Sequence, residues 1–261
     1  MTDSDVAAEW DARYATKGQV WSGNVNRLLP REVEGLEPGT ALDVGSGEGA
    51  DSIWLAKNGW DVTGVDISAV AVERAAALAA REGVAIDFLA ADISTTTGRF
   101  DLVSAFFPSV PSDSDMLEHI LGLVAPEGTL LFVHHVHPDP ESASGYRPHR
   151  PGFMSPFDVL AELEALGDEW RVDKIEVVEN GDDHGGHHHH GGHHHHGGHH
   201  HHGGHHQSGS DHRREPEHRH EHGHHHESEH RHETEHHHES GKYRGLGRHH
   251  QFDAVLKATR I

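Results

Sequence analysis

Leu42-Asp43-Val44-Gly45-Ser46-Gly47-Glu48-Gly49 is the stretch that decides the fold. An apolar strand, ALDVG (41–45), runs into alternating glycines and then into DSIWLAKNG (51–59), which has helical periodicity. Glycines between strand and helix permit a tight turn and a close approach of backbone to ligand, as at the mouths of open α/β sheets. Downstream, the alternation repeats. Strand WDVTGVDI (60–67) leads to helix AVAVERAAALAAREG (69–83), with Ser68 placed as N-cap and Gly83 as a stop. AIDFLAADI (85–93), FDLVSAFF (100–107) and GTLLFVHHV (128–136) read as further strands, with a helix near 115–124 between the last two.

A Pro-rich loop (137–154) separates that fifth strand from a helix that Ser155-Pro156 opens and that ends near Leu166. WRVDKIEVVE (170–179) and FDAVLKATRI (252–261) are the last two strands. They become neighbours once the intervening tract is set aside, which predicts an antiparallel hairpin. Upstream, residues 5–15 form a short helix with Val6, Trp10 and Tyr14 on one side, and a second helix spans 27–34. The expectation is a three-layer α/β sandwich: a mostly parallel seven-stranded sheet with an antiparallel last strand. Residues 1–183 and 251–261 make that domain, and 184–250 are a disordered His/Gly-rich insert at the turn of the final hairpin, where added chain is cheap.

Composition isolates the insert. Its 67 residues contain 29 His and 13 Gly, and nothing in them can bury an apolar face. The whole chain carries a formal net charge of −22 with no Cys. Outside the insert, 14 Lys+Arg stand against 34 Asp+Glu, a net of −20, which repels phosphate backbones and argues against a nucleic-acid partner. Without cysteine there is neither disulfide nor thiolate metal site, which fits a cytoplasmic protein. The acidic start MTDSDVAAEWDARY does not read as a signal peptide, and no apolar run is long enough to span a membrane.

The acids around the glycines suggest what binds there. Asp66 ends the second strand, where a carboxylate can accept both hydrogen bonds of a ribose diol. Asp92 closes the third and could receive an adenine amino group. LDVGSGEGADSIWLA, VTGVDIS, AADI and FDLVSAFF, in that order, resemble the class I, seven-stranded S-adenosylmethionine-dependent methyltransferases, specifically the small tellurite-resistance and thiopurine-methyltransferase-like type. The resemblance covers residues 9–180 and 251–261. It implies that Gly45, Gly47 and Gly49 lie along the cofactor's methionine and ribose, with Asp43 near the amino group. It further implies Asp66 with Ile67 at the ribose, Asp92 with Ile93 at the adenine and Phe106 near the sulfonium. Trp10, Tyr14 and Trp21 are similar to an aromatic lead-in that folds over the cofactor. A nicotinamide-binding Rossmann domain is the rival, since Gly45-x-Gly47-x-x-Ala50 also satisfies its looser fingerprint. Asp43 inside the first strand and two helices ahead of that strand count against it.

Methyl transfer from a sulfonium is an in-line displacement that positioning can drive, so no catalytic base is obligatory and none is assigned. His134, His135 and His137 at the end of the fifth strand, with Tyr146 and His149 beyond it, are candidates to shape the site of a small-molecule acceptor. They are equally readable as packing or surface residues. In the insert, His187, His188, His189 and His190, then His193, His194, His195 and His196, then His199, His200, His201 and His202 form HHHHGG repeats. Imidazoles so spaced on glycine joints are expected to chelate divalent metal, Ni or Zn. Two functions follow: a small-molecule methyltransferase, or a metal store or metal-tolerance protein on a methyltransferase scaffold.

Overall fold

The computed structural model describes residues 3–16, 20, 22–180 and 252–261. The insert, its twelve repeat histidines and Trp21 lie outside the described residues. Among the described residues, helices α1 (Asp3–Ala15) and α2 (Leu28–Val33) precede β1 (Thr40–Val44), α3 (Ala50–Lys57), β2 (Asp61–Asp66), α4 (Ala69–Glu82) and β3 (Asp87–Ala90). Then come β4 (Phe100–Phe106), α5 (Met116–Gly122), β5 (Val124–Pro138), β6 (Tyr146–Pro148), α6 (Pro156–Ala165), β7 (Trp170–Glu179) and β8 (Phe252–Arg260).

The sheet order is β3-β2-β1-β4-β5-β8-β7. β1 to β5 pair in parallel, and β8 runs antiparallel to both β5 and β7. β7 therefore points the same way as the first five strands, and β8 is the reversed one. The seven-stranded, mostly parallel sheet with an antiparallel last strand is as the sequence predicts, and so is the final hairpin, from Trp170↔Arg260 to Glu179↔Phe252. Two strand boundaries differ. β3 stops at Ala90, so that Asp92 caps a 3-10 turn (Ile93–Thr95). β5 begins four residues early at Val124, which pairs with Phe100 before a register shift; Glu127 turns with φ 60° and the ladder resumes at Thr129. The short β6, pairing Tyr146–Pro148 with Val136–Pro138, falls inside the expected loop. Three residues carry too little alternation to announce a strand.

Apolar side chains on the two sheet faces build two cores. Leu42, Val44, Val103, Leu130, Phe132 and Leu256 pack with Leu117, Ile120 and Leu121 of α5 and Val159 and Leu163 of α6. Ala41, Val62, Leu102, Leu131, Val133 and Val255 pack with Leu28, Leu29 and Val33 of α2 and Leu55 of α3. Strands buried on both faces explain the near-continuous apolar runs. Local punctuation agrees with the packing. Ser68 Oγ accepts from Ala71 N to start α4, Gly83 ends it with φ 71°, and Ser155 with Asp158 forms a reciprocal capping box on α6. Among the described residues no helix is long and apolar enough to cross a membrane.

Candidate active site

At the carboxyl end of β1 the chain turns on three glycines with left-handed φ, 73° at Gly45, 51° at Gly47 and 82° at Gly49. The loop is sewn to β2: Gly45 N and Ser46 N donate to Val65 O at 2.8 and 3.0 Å. Gly47 N donates to Asp66 Oδ2, and Ser68 N to Asp66 Oδ1, both at 2.8 Å. Each Asp66 oxygen thus keeps lone-pair capacity while its direction is fixed. Gly49 also serves packing, since a Cβ there would sit 2.8 Å from Ala75 Cβ and 3.0 Å from the Phe88 ring. Ser46 Oγ is buried with no hydrogen-bond partner. A buried hydroxyl left over in a ligand loop is the kind of group a bound molecule satisfies.

Three carboxyl groups crowd the crevice. Asp43, 3% exposed, accepts from Ser52 Oγ at 2.6 Å. Burial first, and the charge of Asp51 second, push its carboxyl up to about 7. Asp51 accepts from Asn26 N at 2.6 Å and is pushed up to about 6 by burial. Burial also raises Asp66, against the pull of the two backbone donors. Such a set favours a cationic ligand, which lets the acids ionise together.

The lead-in helix is tied to this loop by polar contacts that sequence reading does not reveal. Asp11 Oδ1 accepts from Ser68 Oγ at 2.5 Å and from Val70 N at 3.2 Å, at the start of α4. Arg74 pairs with Glu48 at 3.0 Å and donates to Tyr14 O at 2.8 Å. Glu48 in turn accepts from Val20 N at 3.1 Å. Trp10 and Tyr14 lie with ring centroids 6.1 Å apart; Tyr14 is buried. Asp92 Oδ1 is engaged by Ser94 N at 2.8 Å, and the Ile93 side chain belongs to the first core. Ile67 is half-buried just past the end of β2, and Phe106 packs against the second core.

A second group of side chains stands at the carboxyl ends of β4 and β5. His135 Nδ1 lies 2.6 Å from Asp253 Oδ1, and the His135 ring stacks on Phe107 at 4.1 Å between centroids. His137 Nε2 meets His149 Nδ1 at 2.7 Å. His134 is buried, and desolvation pushes it down to about 4, so it is neutral near pH 7. Tyr146 stacks on Phe157 at 5.8 Å. Four of the five candidate acceptor-site residues thus lie together, and Tyr146 borders them across β6. Asp253 escapes sequence reading because it is 118 residues from its partner.

Sheet order and crevice together define a class I, Rossmann-like methyltransferase fold. Residues 41–128 match the family described as "Methyltransferase domain", so the chain carries a methyltransferase domain across β1 to the start of β5. Ubiquinone biosynthesis O-methyltransferase of Coxiella burnetii (strain RSA 331 / Henzerling II) is 35% identical over 149 residues, 51% of this chain and 64% of that protein. Ribosomal RNA small subunit methyltransferase C of Alcanivorax borkumensis is 43% identical over 88 residues, 33% of this chain and 27% of that protein. The chain thus spans less than two thirds of these relatives' own lengths. Magnesium protoporphyrin IX methyltransferase from Synechocystis PCC 6803, solved with bound SAM, shares the fold at a TM-score of 0.53 and 15% identity, over 100% of this chain and 98% of that one.

Proposed function

We propose that this chain binds S-adenosylmethionine in the crevice and transfers its methyl group to a small-molecule acceptor. The observation that carries the reading is Asp66, locked by Gly47 N and Ser68 N at the lip of the glycine loop. The residues fit the cofactor: a glycine turn at the N-terminus of α3, a buried Ser46 hydroxyl with unused capacity, and acids that favour a cation. When bound, the cofactor supplies an electrophilic methyl group on a sulfonium. Asp66 and Ile67 would hold the ribose, Asp43 the amino group, and Asp92 and Ile93 the adenine. Trp10 and Tyr14 would flank it, and Phe106 would exclude water near the sulfur. Orientation with water excluded is the main contribution such a site makes to an in-line displacement. The net charge of −20 outside the insert favours a small acceptor over RNA.

Calorimetry tests this. Wild type is expected to bind S-adenosylmethionine or S-adenosylhomocysteine. Asp66→Ala removes charged hydrogen bonds of about 1.5–3 kcal/mol, a loss of roughly 10- to 100-fold. Gly47→Ala is expected to weaken binding as well, because a side chain at φ 51° costs about 1–2 kcal/mol. A wild-type chain that binds neither compound sinks the assignment.

A second activity is supported by the three HHHHGG repeats: chelation of Ni or Zn by the insert. Imidazole must be neutral to bind, so uptake falls as pH drops below about 6.5. Metal titration of the full chain, and of a chain lacking 184–250, separates this activity from the crevice. Among the described residues no cluster of three or more His, Cys, Asp or Glu is arranged to hold a metal, so equal uptake by both chains would refute it.

A further inference from the structure

Helix α1 has little apolar surface to hold it in place. Tyr14 is its one fully buried side chain among the described residues, and a 13-residue helix standing alone in water is marginal. Two polar fastenings hold it, and both end on the crevice. In the first, Ser68 bridges two carboxyl groups: its N donates to Asp66 Oδ1 at 2.8 Å and its Oγ to Asp11 Oδ1 at 2.5 Å. Asp11 Oδ1 also accepts from Val70 N at 3.2 Å, an amide in the first turn of α4, where helix geometry offers no acceptor. In the second, Arg74 reaches from the glycine turn to α1. Its Nη1 donates to Glu48 Oε1 at 3.0 Å, and its Nη2 to Tyr14 O at 2.8 Å. Tyr14 O is a last-turn carbonyl of α1, where the helix dipole also favours a cation. Glu48, 9% exposed, accepts from Val20 N at 3.1 Å as well, and so holds the segment that follows α1.

We propose that Asp11 and Arg74 are positioning residues for the cofactor, which make occupancy of the crevice and docking of α1 one linked equilibrium. The inference rests on the methyltransferase reading above and names what couples its crevice to the rest of the chain. Neither side chain has to touch the ligand. With α1 docked, Asp11 fixes the hydroxyl of Ser68, whose amide orients Asp66, and Arg74 pairs with Glu48 inside the glycine turn. With α1 released, Ser68 Oγ and Val70 N lose their acceptor, and Arg74 loses Tyr14 O. Polar groups at the lip then sample other arrangements, and the crevice binds more weakly. By reciprocity, a ligand that needs the ordered lip favours the docked helix by the same factor. With so few buried contacts, the docked and released states of α1 lie close enough in free energy for a ligand to shift them.

Amide hydrogen exchange of the full chain, read at Trp10 to Tyr14 with and without S-adenosylhomocysteine, tests the linkage, because a released α1 melts and exchanges. In wild type the ligand is expected to slow this exchange about 5- to 150-fold. Asp11→Ala loosens the helix from its own side, and Arg74→Met loosens it from the body while keeping the apolar stem. Both variants are expected to speed exchange of α1 in the free chain while β4 and β5 stay protected, and to weaken S-adenosylhomocysteine in calorimetry about 5- to 150-fold. Arg74→Lys, with a single ammonium in place of the fork, is expected to recover part of both losses. A merely structural role would speed exchange of α1 and leave affinity unmoved, and that outcome overturns the inference. Exchange of α1 that ignores a bound ligand in wild type overturns it too, and this reading decides if either variant fails to fold. A wild type that binds neither S-adenosylhomocysteine nor S-adenosylmethionine overturns the methyltransferase reading instead.

Discussion

Asp43 and Asp51 couple the crevice to pH. Their carboxyls are pushed up to about 7 and about 6 by burial, with the Asp51 charge adding to the effect at Asp43. An acid whose folded value exceeds its unfolded one binds extra protons in the folded chain, so these two lower stability as pH rises from about 4 to about 7. A cationic ligand needs them ionised. S-adenosylmethionine affinity is therefore expected to rise from pH 5 to pH 8 with proton release on binding, measurable by calorimetry in buffers of different ionisation enthalpy. A flat profile with no proton release would show that Asp43 does not face the ligand. Asp43 and Asp66 were readable because strand ends follow from periodicity. Glu48 with Arg74 and Asp11 with Ser68 were not, since partners 26 and 57 residues apart are joined only by helix packing.

At the scale of elements, the glycine turn makes two distinguishable demands. Gly45 meets nothing within 4 Å, so its requirement is φ 73° alone, whereas Gly49 combines φ 82° with contacts to Ala75 and Phe88. Gly45→Ala is expected to cost about 1–2 kcal/mol of stability, and Gly49→Ala on the order of 3 kcal/mol once overpacking is added. Urea unfolding of both variants would check the order; equal losses would mean that α4 yields to the added methyl. Ala71, Ala75 and Ala79, all buried, let α4 approach this closely. Helix limits were legible wherever Ser, Pro or Gly punctuates the chain. β3 ran short because the apolar pattern of 85–93 continues past the last ladder bond into a capped turn, and the sequence carries no signal for that.

For the whole molecule, the hairpin joining β7 to β8 is the point where sequence and architecture part furthest. Glu179 and Phe252 are register partners although the connection between them is 72 residues long. Replacing residues 181–251 with a short Gly-rich turn is expected to leave cofactor binding intact and stability unchanged or higher by up to about 2 kcal/mol, since closure entropy grows only logarithmically with length. Thermal unfolding checks this, and a collapse of the fold would show that the insert braces the sheet. The seven-stranded order was legible because the two flanking segments each read as a strand once the histidine tract was set aside. β8 fills the gap between β5 and β7, bonded along both edges, and brings Asp253 with it. A polypeptide severed within the tract would accordingly behave as a split protein: a synthetic 252–261 peptide added in trans should dock as a donor strand, completing the sheet and returning Asp253 to His135 in the same event.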